Sequence, residues 1–291
     1  MFSKVALVEL DQDVKQSFKQ ALQLIGKIDD LNTADRSVVV KVGIFDPKTD
    51  HHTTVNVAEA IINSFNKAPQ IFLAESDNYR GKGLERLQIW KTLFTERVVP
   101  LNLSEDTNTK QFKIADEKIG LSHILFKPNV FVSTHVLRTY EKGSVLKNLL
   151  GLIPDRKKVR FHKKLEETLL DLYEAVGGID LAVLDGTYLS TGVAPKSAKR
   201  INTNVLVVGR DAVAVETVGY TIIGIDSEKI PIIKEAMKRG IGEGRIDKIQ
   251  VLGAAVENLK EKFAQLLKDS KKRGKTSKPP RKGLNNPKSE R

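Results

Sequence analysis

The chain predicts an α/β fold: a mixed, mostly parallel sheet with flanking helices. Three observations carry this. Continuous β-branched runs recur, clearest at 38–43, 130–134, 181–186 and 205–209, and such runs are typical of strands buried on both faces. Segments with apolar residues at helical spacing alternate with them, the rhythm of βαβ units, which close in a right-handed sense. Finally, 291 residues of 40% hydrophobic content suffice for a substantial core, as one large domain or as two α/β lobes around a cleft.

In order, residues 5–10 read as a short strand, and Val14, Phe18, Ala21, Leu22 and Ile25 follow with helical spacing. The run 38–43 is the second strand, 46–54 a loop, and Val57, Ala60, Ile61 and Phe65 mark a helix that Thr53 or Thr54 would cap. Residues 71–76 form the next strand, 84–94 a helix, and 98–101 another strand. Residues 112–114 and 124–126 read as short exposed strands, and 130–134 as a buried one. Residues 138–160 have little periodicity but many special residues. A helix follows over 162–176, with Leu165, Leu169, Leu172 and Val176 on one side. Strands at 181–186 and 205–209, a small-residue helix at 212–223, a helix at 232–237, a strand at 249–251 and a helix at 256–267 complete an α/β domain over 1–268. Residues 269–291 have no apolar stripe to offset their ordering entropy and read as a disordered basic tail.

Composition removes several function classes. Without cysteine there can be no disulfide, no thiolate-held iron–sulfur cluster or zinc, and no cysteine nucleophile. Any transition metal would draw on His51, His52, His123, His135 and His162 with carboxylates. The net charge is +12, but residues 268–291 hold ten Lys/Arg against Asp269 and Glu290, so the tail supplies most of it. That tail suits electrostatic contact with nucleic-acid phosphates, although it has no aromatic residue to stack on bases. No apolar run reaches the ~18 residues of a membrane span, and the start has no apolar signal core, so a cytoplasmic protein is expected.

Ligands of open α/β sheets sit beyond the carboxyl ends of the strands. Polar residues following strands are therefore candidates: Asp46, Glu75-Ser76-Asp77, Ser133-Thr134-His135, Asp185 and Arg210-Asp211. Asp211 would equally cap the helix at 212, and Asp46-Pro47 would equally be turn chemistry. Ser144, Lys147 and Asn148 fall on one face if a helix opens there, and free backbone amides beside a lysine would hold a carboxylate or phosphate. His162, at the polar start of its helix, suits a general acid or base. No Gly-rich phosphate loop and no Gly-x-Ser-x-Gly elbow is present, and 240–244 reads as a turn.

Several blocks occur in a telling order: Lys147-Asn148-Leu149-Leu150-Gly151-Leu152-Ile153-Pro154, His162, Asp185-Gly186, Gly192 to Pro195, and the stretch from Gly209 through Asp211 to Glu216. Together with Lys41, Thr53-Thr54 and Glu75-Ser76 they resemble the family called domain of unknown function 362, over residues 38–253. The resemblance implies a bacterial and archaeal family whose reaction is generally unassigned. Many of its members carry a ferredoxin-like module with two iron–sulfur clusters, which a cysteine-free chain lacks. It also implies a distant fold relation to nickel-dependent lactate racemases, which bind a small hydroxy acid between two α/β domains. The chain departs from the family pattern at Arg138-Thr139-Tyr140 (usually Lys-Thr-His), Ala194-Pro195 (usually Gly-Pro) and Glu216 (usually Asp).

These readings favour a small anionic metabolite, carboxylate or phosphate, bound or transformed in a cleft. His162 and Asp185 are the catalytic candidates, and Ser144, Lys147, Asn148, Arg210 and Asp211 the substrate-binding ones. Asp77 and His135 are candidate ligands should a divalent metal such as Mg²⁺ bind. The rival roles are a non-catalytic scaffold, suggested by Tyr140 and Ala194, and a nucleic-acid-associated protein using the tail.

Overall fold

A computed structural model describes residues 2–49, 51–126, 128–192 and 199–276. The strands are β1 (Ser3–Glu9), β2 (Val38–Val42), β3 (Ile71–Glu75), β4 (Val98–Asn102), β5 (Thr109–Ile114), β6 (Glu117–Ser122), β7 (Val130–Arg138), β8 (Leu181–Thr191), β9 (Lys199–Gly209) and β10 (Ile249–Gly253). The helices are α1 (Val14–Leu24), α2 (Val55–Ser64), α3 (Gly83–Leu87), α4 (Leu165–Ala175), α5 (Ala212–Ile222), α6 (Pro231–Lys238) and α7 (Val256–Thr276). Eight strands form one sheet in the order β10-β1-β9-β8-β7-β2-β3-β4, and β5 and β6 form a separate hairpin. Neighbours are parallel except at β9, which runs against both β1 and β8.

Alternation along each strand divides the core into two layers. Val38, Val40, Val42, Leu73 and Val132 pack with Phe18, Ile61, Phe65 and Trp90 on the side of α1 and α2. Val39, Ala74, Phe131 and Leu184 pack with Leu149, Leu169, Val215 and Phe263 on the side of α4, α5 and α7. Each fully buried Val, Leu or Phe contributes about 1.5–3 kcal/mol, so sheet burial rather than helix propensity holds these layers.

The order of strands creates a crevice. From β2 the chain moves outward through β3 to β4, then returns to β7 on the other side of β2 and continues to β8. Connections leave β2 and β7 in opposite directions at their carboxyl ends, which is where open α/β sheets bind ligands.

Several expected elements differ. Residues 112–114 belong to β5, but its partner is β6, and residues 124–126 lie at a 3₁₀ turn, His123–Leu125. The hairpin turns on Ala115 and Asp116, both at positive φ (45° and 70°), the backbone of a primed two-residue turn. The helix expected over 84–94 is α3 followed by the 3₁₀ turn Gln88–Leu93, and the one expected from His162 is the 3₁₀ turn Lys158–Lys164 followed by α4. Pro100 sits in β4, at the sheet's edge, where a missing N–H breaks no ladder. Helix α7 continues to Thr276, through the first residues assigned to the tail, while the rest of the tail, 277–291, lies outside the described residues, as do Ala194 and Pro195. No helix among the described residues is long and apolar enough to cross a membrane.

Candidate functional site

A cavity of about 390 Å³ opens at the carboxyl ends of β2, β3 and β7. Its floor is a buried ion triad. Lys41 lies in β2 between Val40 and Val42, and alternation turns it to the face shared with Val39. There Lys41 Nζ pairs with Glu75 Oε1 and donates to the Val42 carbonyl at 3.3 Å and to Asn148 Oδ1 at 3.1 Å. The other Glu75 oxygen takes Arg86 Nη2 at 2.8 Å, and the same guanidinium donates to the carbonyls of Ile44 and Ser76. Two cations thus share one carboxylate in a site that is 1–3% exposed. Burial pulls the Lys41 ammonium below its usual range, against the raising effect of Glu75. Gly151 leaves room here: a Cβ on it would lie 2.7 Å from Lys41 Cε and Nζ, so the ammonium would have to shift.

The roof is the segment after β7, and the side chains of Ser133, Arg138, Glu216, Tyr220 and Asn148 hold it. Ser133 Oγ donates to the Val145 carbonyl at 2.9 Å, and Arg138 Nε to the Gly143 carbonyl at 2.9 Å. From α5, Glu216 Oε1 accepts the N–H groups of Ser144 and Leu146 at 2.5 and 3.0 Å. Tyr220 Oη accepts from Gly143 N–H at 2.8 Å and donates to the Tyr140 carbonyl at 2.7 Å. Asn148 Nδ2 closes the roof on the floor, reaching the carbonyls of Lys41 (2.8 Å) and Thr134 (3.1 Å) and Ser133 Oγ (3.3 Å). The amides expected to hold an anion do hold a carboxylate, but it is the protein's own Glu216. Burial raises the Glu216 carboxyl above its usual range, and those backbone N–H bonds pull it back.

Among the described residues, six cationic side chains line the cavity, Lys41, Arg86, Arg138, Lys147, Arg156 and Lys158, against one carboxylate, Glu75. Lys158 Nζ donates to the carbonyls of Asp77 and Asp155. Burial takes its pKa down to about 8, Glu75 resists that, and Lys41 and Arg86 add to the depression. Lys147, half-buried in the 3₁₀ turn Lys147–Leu152, has its ammonium pKa lowered to about 7 by burial and by the charges of Arg138 and Lys142. Its Nζ stands 3.4 Å from His162 Nε2, and burial together with Lys147 and Lys142 lowers the imidazole's pKa as well. His135, on β7, presents its ring to the cavity beside Gly43, where a Cβ would collide with it at 2.1 Å. Burial, then Arg138 and Lys41, holds it well below its usual range and so neutral, and its buried Nδ1 has no hydrogen-bond partner among the described residues. Phe45, Tyr79, Leu150 and Val159 add apolar surface, with Tyr79 and Val159 exposed.

Of the residues singled out from sequence, Lys147, Asn148, His162 and His135 meet at this cavity. Ser144 does not line it, since its segment is turned to Glu216. Asp185 braces the loop before α2: its Oδ2 accepts from the N–H and the hydroxyl of Thr54 at 2.7 Å each, and its Oδ1 from Thr187 N–H at 2.9 Å. Arg210 and Asp211 follow β9, and because β9 is antiparallel its carboxyl end lies at the opposite edge of the sheet. There Arg210 pairs with Asp30 at 2.8 Å, and Asp211 caps α5 through the N–H groups of Val213 and Ala214 at 3.0 Å each. Asp77 braces its own loop, accepting from Gly83 N–H at 2.8 Å and Asn102 Nδ2 at 2.9 Å. Asp77 is not among the cavity's lining residues, whereas His135 is, and no group of three His, Asp or Glu among the described residues could hold a metal ion.

Sequence reasoning missed Arg86 and Lys158, which sit in stretches of ordinary amphipathic or charged composition. It also missed the cavity contact of Ser190 Oγ with His51 Nδ1 at 2.7 Å. Lys41 did have a legible signal, a lone lysine inside a β-branched run.

The fold and site define an α/β protein with a cationic cavity at the point where its strand order reverses. Residues 38–221 match the family model described as Domain of unknown function (DUF362), and the chain belongs to that family, as a member without cysteine. The matched span contains every residue that lines the cavity. No curated protein matches the chain.

Proposed function

We propose that the protein binds a small anionic metabolite, a carboxylate or a phosphate, in the cavity at the ends of β2, β3 and β7. The supporting observation is the imbalance, among the described residues, of six cationic side chains against one carboxylate around about 390 Å³. A partly dry cavity with surplus positive charge is relieved by an anion, and charge-assisted hydrogen bonds are roughly twice as strong as neutral ones. Lys147 and Lys158 provide the charge that an anion would meet, with the neutral His135 imidazole as a further hydrogen-bonding group. Phe45, Leu150 and Val159 leave room for a short apolar body, so a metabolite with one anionic end fits better than a polyanion. Lys147 with His162 supplies a lysine–imidazole pair for proton movement at that anion.

Thermal melting of the full chain with phosphate, sulfate and short carboxylic acids tests this. An anion at a hundredfold excess over Kd stabilises by about 2.7 kcal/mol, a rise of several degrees. That rise should shrink or vanish in Lys147→Ala. If no anion moves the melting temperature of the wild-type protein, the reading fails.

A further inference from the structure

Five of the six cavity cations are engaged by oxygen acceptors. Lys41 and Arg86 share Glu75, Arg138 holds the Gly143 carbonyl, Lys158 holds two carbonyls, and Arg156 Nε reaches the Asn78 carbonyl at 3.4 Å. Lys147 is different. Among the described residues its Nζ has no carboxylate or carbonyl partner, and its one hydrogen-bonding contact is with the His162 imidazole at 3.4 Å. A lysine whose task was only to carry charge would be as well served by an acceptor. A primary amine beside an imidazole, on the wall of a cationic cavity, is instead arranged as a nucleophile with a proton carrier.

We propose that Lys147 forms a reversible imine with a small anionic carbonyl compound, of the 2-oxo acid class, bound in this cavity. The proposal rests on the anion-binding reading above and adds to it the ligand's carbonyl group and the covalent bond. The Lys147 ammonium first gives one proton to His162 Nε2; the neutral Nζ then adds to the carbonyl carbon, a C–N bond forms as the C=O π bond opens, and the imidazolium returns that proton to the oxygen, which becomes a hydroxyl. His162 Nε2 then takes a second proton from the nitrogen. It returns a proton to the hydroxyl, which leaves as water, and a protonated imine remains. Overall, one carbonyl compound and one lysine ammonium give one iminium and one water, with no oxidant or reductant. Arg138, whose charge is felt at Lys147, suits the carboxylate next to the reacting carbon.

The protonation state agrees with this geometry. Four groups face the amine: burial aside, Arg138 and Lys142 lower its pKa, Glu166 raises it, and His162 adjoins it. With its pKa at about 7, close to half of Lys147 is neutral at neutral pH. An ordinary lysine has roughly one neutral amine in a few thousand there.

The test treats the full chain with pyruvate and sodium cyanoborohydride, which delivers hydride to an imine carbon, and maps the adduct by peptide mass spectrometry. The expected result is a reduced pyruvate adduct on Lys147, at least about tenfold over any other lysine, with a yield that rises with pH around a midpoint near 7. Lactate has the carboxylate without the carbonyl. It should leave no adduct and still raise the melting temperature. Lys147→Arg keeps the charge but has no amine that can form an imine, and it should lose the adduct. Adduct spread over surface lysines, or unchanged in Lys147→Arg, overturns the proposal. If pyruvate and lactate both raise the melting temperature and no adduct forms, the imine is wrong and the anion site stands. If neither binds and no adduct forms, the imine is wrong, and the anion reading then stands or falls on phosphate and sulfate. Mapping of the wild-type chain decides the matter even if the arginine variant does not fold.

Discussion

At the scale of single residues, the site depends on Glu75. One carboxylate faces two cations, Lys41 and Arg86, with all three side chains almost wholly buried. A buried pair contributes little relative to a well-packed apolar substitute, but removing one partner leaves charge with no counter-ion, at a cost of about 3–5 kcal/mol. Here the removal would strand two cations. Glu75→Gln keeps the size and some hydrogen bonding, so we expect a loss of at least about 3 kcal/mol, read as a lower denaturant midpoint with an unchanged slope. A loss below about 1 kcal/mol, the value of an exposed ion pair, would mean that water reaches the triad. Lys41 was legible because a lysine inside a run of valines must be either an edge residue or a functional one. Arg86 was not, because its stretch reads as an ordinary amphipathic helix and only the tertiary fold brings it to Glu75.

At the scale of elements, the eight strands of the main sheet were legible and their directions were not, nor was β6. β2, β7 and β8 announce themselves by β-branched runs, and their carboxyl ends do carry cavity or loop-bracing residues. β9 has the same kind of run at Val205–Val208, but it is antiparallel, so Arg210 and Asp211 lie at the far edge. Composition cannot distinguish the two directions, because the pairing partner decides them. The segment over 138–160 was legible as special without its architecture. Its conformation comes from α5, some seventy residues later in the chain, through Glu216 and Tyr220. Tyr220→Phe would leave Gly143 N–H and the Tyr140 carbonyl without a shared partner. Each buried group so stranded costs about 1–3 kcal/mol, spread here between stability and loop order. We expect faster amide hydrogen exchange through residues 140–148 and weaker anion binding, with exchange in β1 and α1 unchanged. Uniform acceleration across the molecule would show that Tyr220 serves the core in general rather than this roof.

At the scale of the whole molecule, the sheet gathers cations at one edge and leaves two of them half-committed to their charge. Lys147, at about 7, and Lys158, at about 8, both titrate close to neutral pH. Each has a folded-state pKa below its unfolded value, so between that value and about 10.4 the unfolded chain binds more protons, and stability rises with pH across that window. The sign for an anion is the reverse. Below about pH 7 both lysines are charged and the cavity attracts an anion most, and as pH rises through 7 and then 8 that attraction is lost. Sulfate is the suitable probe, because its own charge is constant over this range. Melting curves between about pH 6 and 9 should show the ligand-free protein gaining stability while the increment due to sulfate shrinks. Affinity should fall by at most about tenfold per pH unit for each proton taken up on binding. In Lys147→Ala the fall should keep only its later step, near the value of Lys158. A sulfate increment that stays flat from about pH 6 to 9 would assign the cavity's charge to its arginines. The two lysines would then have no part in holding the anion.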